Sequence, residues 1–423
     1  MIQEGVFSFL EAHPANKYYI GYSGGLDSHV LLHACAALYT QYPQRFQFAA
    51  IHIHHGLQAV AEAWVEHAWH ICAGLKLPLN VIYLNLKPVV GESLEAIARR
   101  ARYQAFSAHL AADEMLLTAH HQDDQAETFL LNALRGSGGA GLAAMPRVRG
   151  LGLGKLGRPL LAFSRVQLEA YAALYQLPYV EDPTNAETQF DRNYLRHEIL
   201  PRLQIRWPAA NQTLSRAAAW QAEQQQILAQ LLAQQLPQFA GSRPHTLSVR
   251  ALNAVDALMQ KVLIRHWLQQ LGFTLPAAKK LQSILMDVLA ASSDAMPCVK
   301  WQSCELRRYR DDLYALQPLS PHDPTQVWVW EHWEQDFYLD SLGCGLSKSI
   351  LVSSLKQQAK AQGLPITVRF RQGGERLQRE QGYSLELKHL FQTAGIPPWE
   401  RERIPLVYVG DELRLVVGIY PKP

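Results

Sequence analysis

The sequence predicts an α/β protein: an N-terminal doubly wound parallel sheet, then a helical domain, then a small α+β C-terminal domain. Three observations carry that expectation. Short apolar runs alternate with helically spaced apolar residues as far as Trp207, the pattern of successive βαβ units. The unusual polar clusters fall just after those runs, where ligands bind in such sheets. Beyond Trp207 the texture becomes Ala-, Gln- and Leu-rich and helical, and strand-like runs return only from Pro297.

Taken in order, YYIGY is the first strand, and a helix follows from Asp27 to Tyr39. FQFAAIHI is the second strand, and Trp64, Val65, Ala68, Trp69, Cys72 and Leu75 mark one face of the next helix. LNVIYL is the third strand, and a helix from Glu92 to Leu110 carries Arg99, Arg100 and Arg102. EMLLTA is the fourth, leading through HHQDDQAET into the helix FLLNALR, which Gly136 ends as a C′ glycine. Glycine-rich RGSGGAGLAAM and RGLGLGKLGRP follow. The expected domains are 1–210, a mainly helical 211–320, a connecting segment 321–360, and a small domain 361–423. In that last domain TVRFRQGGERL and RIPLVYVGDELRLVVGIY read as two hairpin-like pieces, GDE being a turn.

With 423 residues, 48% hydrophobic and 18% charged, the chain is long enough for several packed cores. A formal charge of +3 permits a nucleic-acid partner only through a local patch. The five cysteines form no CxxC pair and suit free buried thiols rather than a disulfide framework. The first residues lack a signal-peptide pattern, and no apolar run reaches the ~20 residues needed to span a bilayer. A cytoplasmic protein, monomeric or homodimeric, is expected.

SGGLDS follows the first strand and opens a helix. It is neither GxxxxGK[ST] nor GxGxxG. Glycines allow close backbone approach to an anion, but Asp27 in the first helical turn would repel a bare one. A phosphate accompanied by a metal ion resolves that conflict. In AHHQDDQAET, Asp124 and Glu127 have the spacing of a helix cap and its partner, which leaves His120, His121 and Asp123 unexplained. HExxH is absent, so a metallohydrolase is disfavoured, and an acidic pocket for a cationic substrate is the remaining reading. His52, His54 and His55 have no adjacent carboxylate or cysteine, so no structural metal is expected there. Nucleotide contact or a strand-end role stays open. Trp328 and Trp330 share one strand face and suit packing better than base stacking.

SGGLDS resembles the PP-loop of N-type ATP pyrophosphatases, which have an adenine nucleotide alpha hydrolase-like fold. SGGLDS, HIHHGLQ, EAIARRARYQAF, AHHQDDQAET, GSGGAGLAAMP, RPLL, DPTN…RNYLR, RFRQGGERLQ and LKHLFQTAGIPPWERERIPLVY together occur in the order found in the tRNA(Ile)-lysidine synthetase family. The resemblance implies that ATP adenylates the wobble cytidine of the CAU-anticodon isoleucine tRNA, and that free L-lysine then displaces AMP to give lysidine. It implies ATP on Ser23, Gly24, Gly25, Leu26, Asp27 and Ser28, with His52 nearby and Asp27 holding the accompanying Mg²⁺. It places lysine against His120, Asp124 and Glu127 with Arg99 or Arg102, and gives Asp27, Asp124, Glu127 and Arg192 to the chemistry. Arg196, in the same RNYLR element as Arg192 and Asn193, is assigned to tRNA, as are Arg369, Arg371, Arg376 and Lys388. Rival PP-loop enzymes fit less well. A sulfurtransferase of the cytidine-thiolating branch needs paired cysteines, and an amidotransferase needs a glutaminase domain. A non-catalytic RNA-binding module would not need the intact loop and acids.

Overall fold

The computed structural model describes all residues except 55, 57–60, 87–93, 182–186, 293–294, 340–343, 352, 379–383 and 421–423. His55 and the DPTN stretch, singled out above, lie outside the described residues, as does Arg379, which follows RFRQGGERLQ and counts with the cations expected to clamp RNA phosphates. The chain divides into two compact units, Met1–Leu231 and Leu232–Pro423.

In the first unit, helix α1 (Ile2–Ala12) precedes β1 (Lys17–Gly21), α2 (Leu26–Gln41), β2 (Phe48–His54), α3 (Ala61–Gly74), β3 (Leu79–Tyr83), α4 (Leu94–His109) and β4 (Glu114–Leu117). Then come α5 (Gln122–Leu134), α6 (Gly139–Leu142), β5 (Val148–Leu151), β6 (Gly154–Gly157) and α7 (Arg165–Leu174). The unit finishes with α8 (Asp191–Tyr194), a π-helical segment (Leu195–Ile199), α9 (Leu200–Arg206) and most of α10 (Ala210–Gln235). The strands form a six-stranded sheet in the order β3-β2-β1-β4-β6-β5. All neighbours are parallel except β5, which pairs antiparallel with β6 at the edge, so the second glycine-rich stretch is a hairpin completing the sheet.

The central strands are apolar on both faces because helices cover both. Tyr18 and Ile20 join one core with Val30, Leu31 and Leu168. Tyr19 turns to the other, with Ala49, Ile51, Phe106 and Leu116. The order reverses at β1, with β2 on one side and β4 on the other. The carboxyl ends of β1 and β4 therefore diverge into a crevice, the usual ligand position in such sheets.

The second unit holds β7 (Leu247–Ser248), α11 (Val249–Asn253), α12 (Ala257–Gln270), α13 (Ala278–Ser283), β8 (Cys298–Trp301), β9 (Cys304–Tyr309) and β10 (Asp312–Leu316). The four strands form one sheet, β7-β10-β9-β8. Helices predominate in 211–320, and the sheet shares a core of Leu263, Trp267, Leu306 and Leu313 with them. The boundary expected after 210 falls at the start of α10, whereas the compact units part at 231. Asn211, on the first turn of α10, is tied to Asp123 at 2.5 Å, which keeps that helix with the first unit.

The remaining elements are β11 (Trp328–Val329), β12 (Phe337–Leu339), β13 (Cys344–Leu346), α14 (Ser353–Gln362), β14 (Ile366–Arg369), β15 (Arg376–Gln378), β16 (Ser384–Glu386), α15 (Leu387–Thr393), α16 (Pro398–Arg401), β17 (Leu406–Val409) and β18 (Glu412–Val416). Segment 321–360 is more than a connection. It supplies the edge strand β11, and Trp330, Leu339, Leu346 and Leu355 enter the core of the final sheet. The two tryptophans pack as expected, Trp330 buried and Trp328 edge-on to Phe370. The sheet order β11-β14-β17-β18-β15-β16 also corrects one hairpin. β17 and β18 do turn back on each other through Gly410, at φ +58°. β14 and β15 do not pair. Gly373 and Gly374, at φ +117° and +84°, carry the chain from one to the other across two intervening strands.

Candidate active site

The PP-loop leaves β1 and enters α2. Gly24 takes φ +88°, a conformation that favours glycine, and its carbonyl accepts from the Val180 N–H at 3.0 Å. Gly25 is the N-cap of α2 and lends no side chain, so the first-turn N–H groups are left for a ligand. Ser28 closes the loop from within: its Oγ donates to the Gly25 carbonyl at 2.8 Å and accepts from the Ser23 N–H at 3.2 Å. Asp27 sits in the first helical turn with its side chain 27% exposed.

At the end of β4 the predicted loop is shorter than expected, because α5 takes in all three acids of HHQDDQAET. The cap spacing read from Asp124 and Glu127 is corrected. His121 is the N-cap, and Asp124 is the partner whose carboxylate accepts from the His121 N–H at 3.0 Å. His121 Nε2 lies 3.6 Å from Asp27 and 3.5 Å from Asp124, and Nδ1 lies 3.5 Å from Asp123. Burial pulls the pKa of His121 down, but its hydrogen bonds to Asp123 and Asp27 and the charge of Asp124 outweigh it, raising the pKa to about 10. The ring is therefore a cation at neutral pH, and the cap then rests on the Asp124 carboxylate. His120 is the opposite case: burial pushes its pKa down to about 3, and it stays neutral with Nδ1 2.9 Å from the Thr118 hydroxyl.

One turn on, Glu127 is 1% exposed and bridged by two arginines. Arg192 Nε donates to Glu127 Oε2 and Arg196 Nε to Oε1, both at 2.6 Å. Their Nη2 groups reach Asp124 Oδ1 at 2.9 and 3.0 Å. Burial would raise the pKa of the Asp124 carboxyl, but His121, Arg192, His120 and Arg196 together hold it well below the usual carboxylate range.

These parts face one cleft of about 460 Å³ at the β1/β4 reversal. Ser23, Gly25, Leu26, Asp27 and Ser28 line one part of it, and His120, Asp124, Arg192 and Arg196 another. Arg99 and Arg102 from α4 also line it, with Tyr103. Their guanidinium carbons lie 5.4 and 6.0 Å from the Tyr103 ring, and that of Arg149 lies 5.2 Å away. Arg196 thus stands beside Arg192 in the cleft.

Three expected site residues are not in the lining: Gly24, whose carbonyl is turned to the Val180 N–H, and two others. His52 does not line the cleft, because Ile51 and Ile53 face it and alternation along β2 turns His52 the other way. Its buried ring donates from Nδ1 to the Tyr22 carbonyl at 3.0 Å and steadies the strand before the loop. Glu127 lies beneath the lining, covered by its two arginines. In the second unit Arg369 is turned inward, donating to Thr367 Oγ1 and the Gly410 carbonyl over the Tyr408 ring. Arg376 is exposed and donates to Ser384 Oγ. Lys388 is exposed, and Arg371 is half-buried with no hydrogen-bond partner at Nε among the described residues.

Sequence reasoning missed Arg165. Its Nη1 donates to both oxygens of Asp27, at 2.9 and 2.8 Å, and its backbone N–H donates to Asp123 at 2.7 Å. A signal for it existed: Ser164 and Gln167 form the capping box of α7, which fixes Arg165 at the first position of the helix.

Comparison with known proteins bears on the whole chain. Residues 2–203 match the PP-loop domain family, 247–314 the TilS substrate binding domain, and 366–421 the TilS substrate C-terminal domain. The tRNA(Ile)-lysidine synthase of Coxiella burnetii is 41% identical over 98% of this chain and 92% of its own length. That of Yersinia pestis is 40% identical over 95% and 89%. The chain belongs to the tRNA(Ile)-lysidine synthase family. It is thus a ligase built on a PP-loop ATP-binding domain, as the ordered motifs implied. Among solved structures, the U34-tRNA thiolase NcsA from Methanococcus maripaludis is 19% identical, with a TM-score of 0.43, covering 51% of this chain and 76% of that one. Among the described residues no helix is long and apolar enough to cross a membrane. Nor do three or more His, Cys, Asp or Glu residues gather there to hold a metal ion by themselves.

Proposed function

We propose that the cleft at the β1/β4 reversal carries out both half-reactions of lysidine formation, activation of the base and attack by lysine. ATP-dependent lysidine formation on tRNA(Ile) is the activity that family membership gives this chain. The observation that carries the single-site reading is that the PP-loop and the Asp124–Arg192–Arg196 cluster line the same cleft. O2 of cytosine is a poor leaving group until esterified with phosphate. Adenylation makes C2 electrophilic, and an amine held nearby then displaces AMP. Ser23, Gly25 and Ser28 bind the phosphates through N–H groups and hydroxyls.

Asp27 fits a Mg²⁺ ion arriving with ATP, since that ion takes one or two protein carboxylates and completes its shell with phosphate oxygens and water. When bound there it supplies charge neutralisation for departing pyrophosphate. Free L-lysine is the second substrate, its ammonium drawn to Asp124. A carboxylate held this acidic is a poor proton acceptor, so Asp124 orients the amine rather than deprotonating it. Arg99, Arg102 and Tyr103 give the cleft a cationic, aromatic wall suited to the anticodon nucleotides or to the carboxylate of lysine.

The deciding assay combines the protein with ATP, Mg²⁺, labelled lysine and isoleucine tRNA bearing the CAU anticodon. AMP, pyrophosphate and base-stable label in the tRNA are expected. Label released by mild base, as an aminoacyl ester would be, or no incorporation, refutes the reading.

The exposed Lys388 and the half-buried Arg371 of the second unit are proposed to hold tRNA phosphates. Arg371→Ala and Lys388→Ala should each weaken tRNA binding severalfold and flatten its dependence on log salt by about one unit, leaving the KM for ATP unchanged. An unaltered salt slope would remove both residues from the interface.

A further inference from the structure

Departing pyrophosphate needs positive charge beside it, yet the PP-loop has no equivalent of the P-loop lysine. Arginines 99, 102, 165, 192 and 196 line the cleft. Arg192 and Arg196 are committed to Glu127 and Asp124. Arg165 is the arginine joined to the PP-loop itself, with Nη1 on both oxygens of Asp27. Its main chain is anchored by the α7 cap and by Asp123, while its side chain is 38% exposed and its Nε donates to Glu169 Oε1 at 3.0 Å, so Asp27 holds only the Nη1 end. Were ATP to bring a cation to Asp27, that cation would compete with Arg165 for the carboxylate.

We propose that Arg165 leaves Asp27 when ATP binds and takes hold of the β- and γ-phosphates, becoming the cation that receives pyrophosphate. The proposal rests on the ATP-using ligase reading. In the adenylation step the bond from cytidine O2 to the α-phosphorus forms as the bond from that phosphorus to its bridging oxygen breaks. The electron pair stays on pyrophosphate, next to the Arg165 guanidinium. In the ligand-free protein the Asp27–Arg165 pair keeps both groups in position, so nucleotide binding swaps one set of charge pairs for another.

The test is calorimetric binding of metal-free pyrophosphate and of AMP, in chelator, to wild type, Asp27→Asn, Arg165→Ala and the double variant. Asp27→Asn should bind pyrophosphate severalfold more tightly than wild type, because it frees Arg165. Arg165→Ala should lose about tenfold or more in either background, the worth of a charge-assisted hydrogen bond, while AMP affinity holds within about twofold. Arg165→Lys should retain most of the affinity, and it serves as the second variant should Arg165→Ala bind AMP poorly. If Arg165→Ala has no effect in the Asp27→Asn background, Arg165 is only a counter-ion for Asp27 and the proposal is overturned. If wild type binds neither ATP nor pyrophosphate, the ligase reading falls along with it. Normal binding and turnover that ignore Arg165 overturn this inference alone.

Discussion

Replacing Glu127 with glutamine is expected to lower the thermal midpoint of the N-terminal unit by roughly 4–8 °C and the kcat/KM for lysine by roughly a hundredfold. The carboxylate is 1% exposed and receives two guanidinium groups, which glutamine cannot neutralise. Stripping one partner from a fully buried ion pair costs about 3–5 kcal/mol. The arginine side chains are 27% and 34% exposed here, so water relieves part of that, and about 2 kcal/mol is the appropriate scale. Once released, the arginines would repel the ammonium that Asp124 is to hold, while the PP-loop would still bind ATP. Adding Arg196→Gln should recover part of the lost stability, because it removes one of the stranded charges. The checks are thermal melts and separate KM values for ATP and lysine. Strictly additive losses in the melts, or equal losses for both substrates, would show that Glu127 does not work through its arginines.

Asp27→Ala should cut pyrophosphate release by roughly a thousandfold while barely moving the melting temperature. Its side chain is partly exposed, and its pair with Arg165 contributes about 1 kcal/mol or less. Loss of the carboxylate removes the group proposed to hold the cation beside pyrophosphate. It also unbalances His121, which would keep only Asp123 and Asp124 as partners. The measurement is the rate of pyrophosphate release in the adenylation half-reaction, with tRNA and ATP saturating and before lysine is added. Turnover within tenfold of wild type would take Asp27 out of the chemistry.

The parallel sheet was legible because its strands are short, apolar on both sides and separated by amphipathic helices. The PP-loop was legible because Ser23 to Ser28 are contiguous. What could not be read was anything set by long-range pairing. Arg165 reaches Asp27 across 138 residues, and Arg192 reaches Glu127 across 65. No local periodicity reports such partners. His121 was passed over as a cap because capping rules favour Ser, Thr, Asp and Asn at that position. His52 was misplaced for a different reason. Alternation said that His52 and His54 share a face of β2, but it did not say which face the ligand would use. The missing β14–β15 pairing is a matter of topology. RFRQGGER has the composition of a turn between paired strands, and only the insertion of β17 and β18 between them shows otherwise.

Arg192 and Arg196 grip the same glutamate from either side of the start of the π-helical segment Leu195–Ile199, where the Leu200 N–H reaches back to the Leu195 carbonyl. A π-turn holds one residue more than the α-turn it replaces. Removing one residue here would close the wide turn to an ordinary α-turn and change the spacing of the groups it carries. The spacing of RNYLRHEIL is therefore a matter of length as well as composition. Homologous chains should tolerate changed residues on the outer side of this segment far better than any gain or loss of a residue within it.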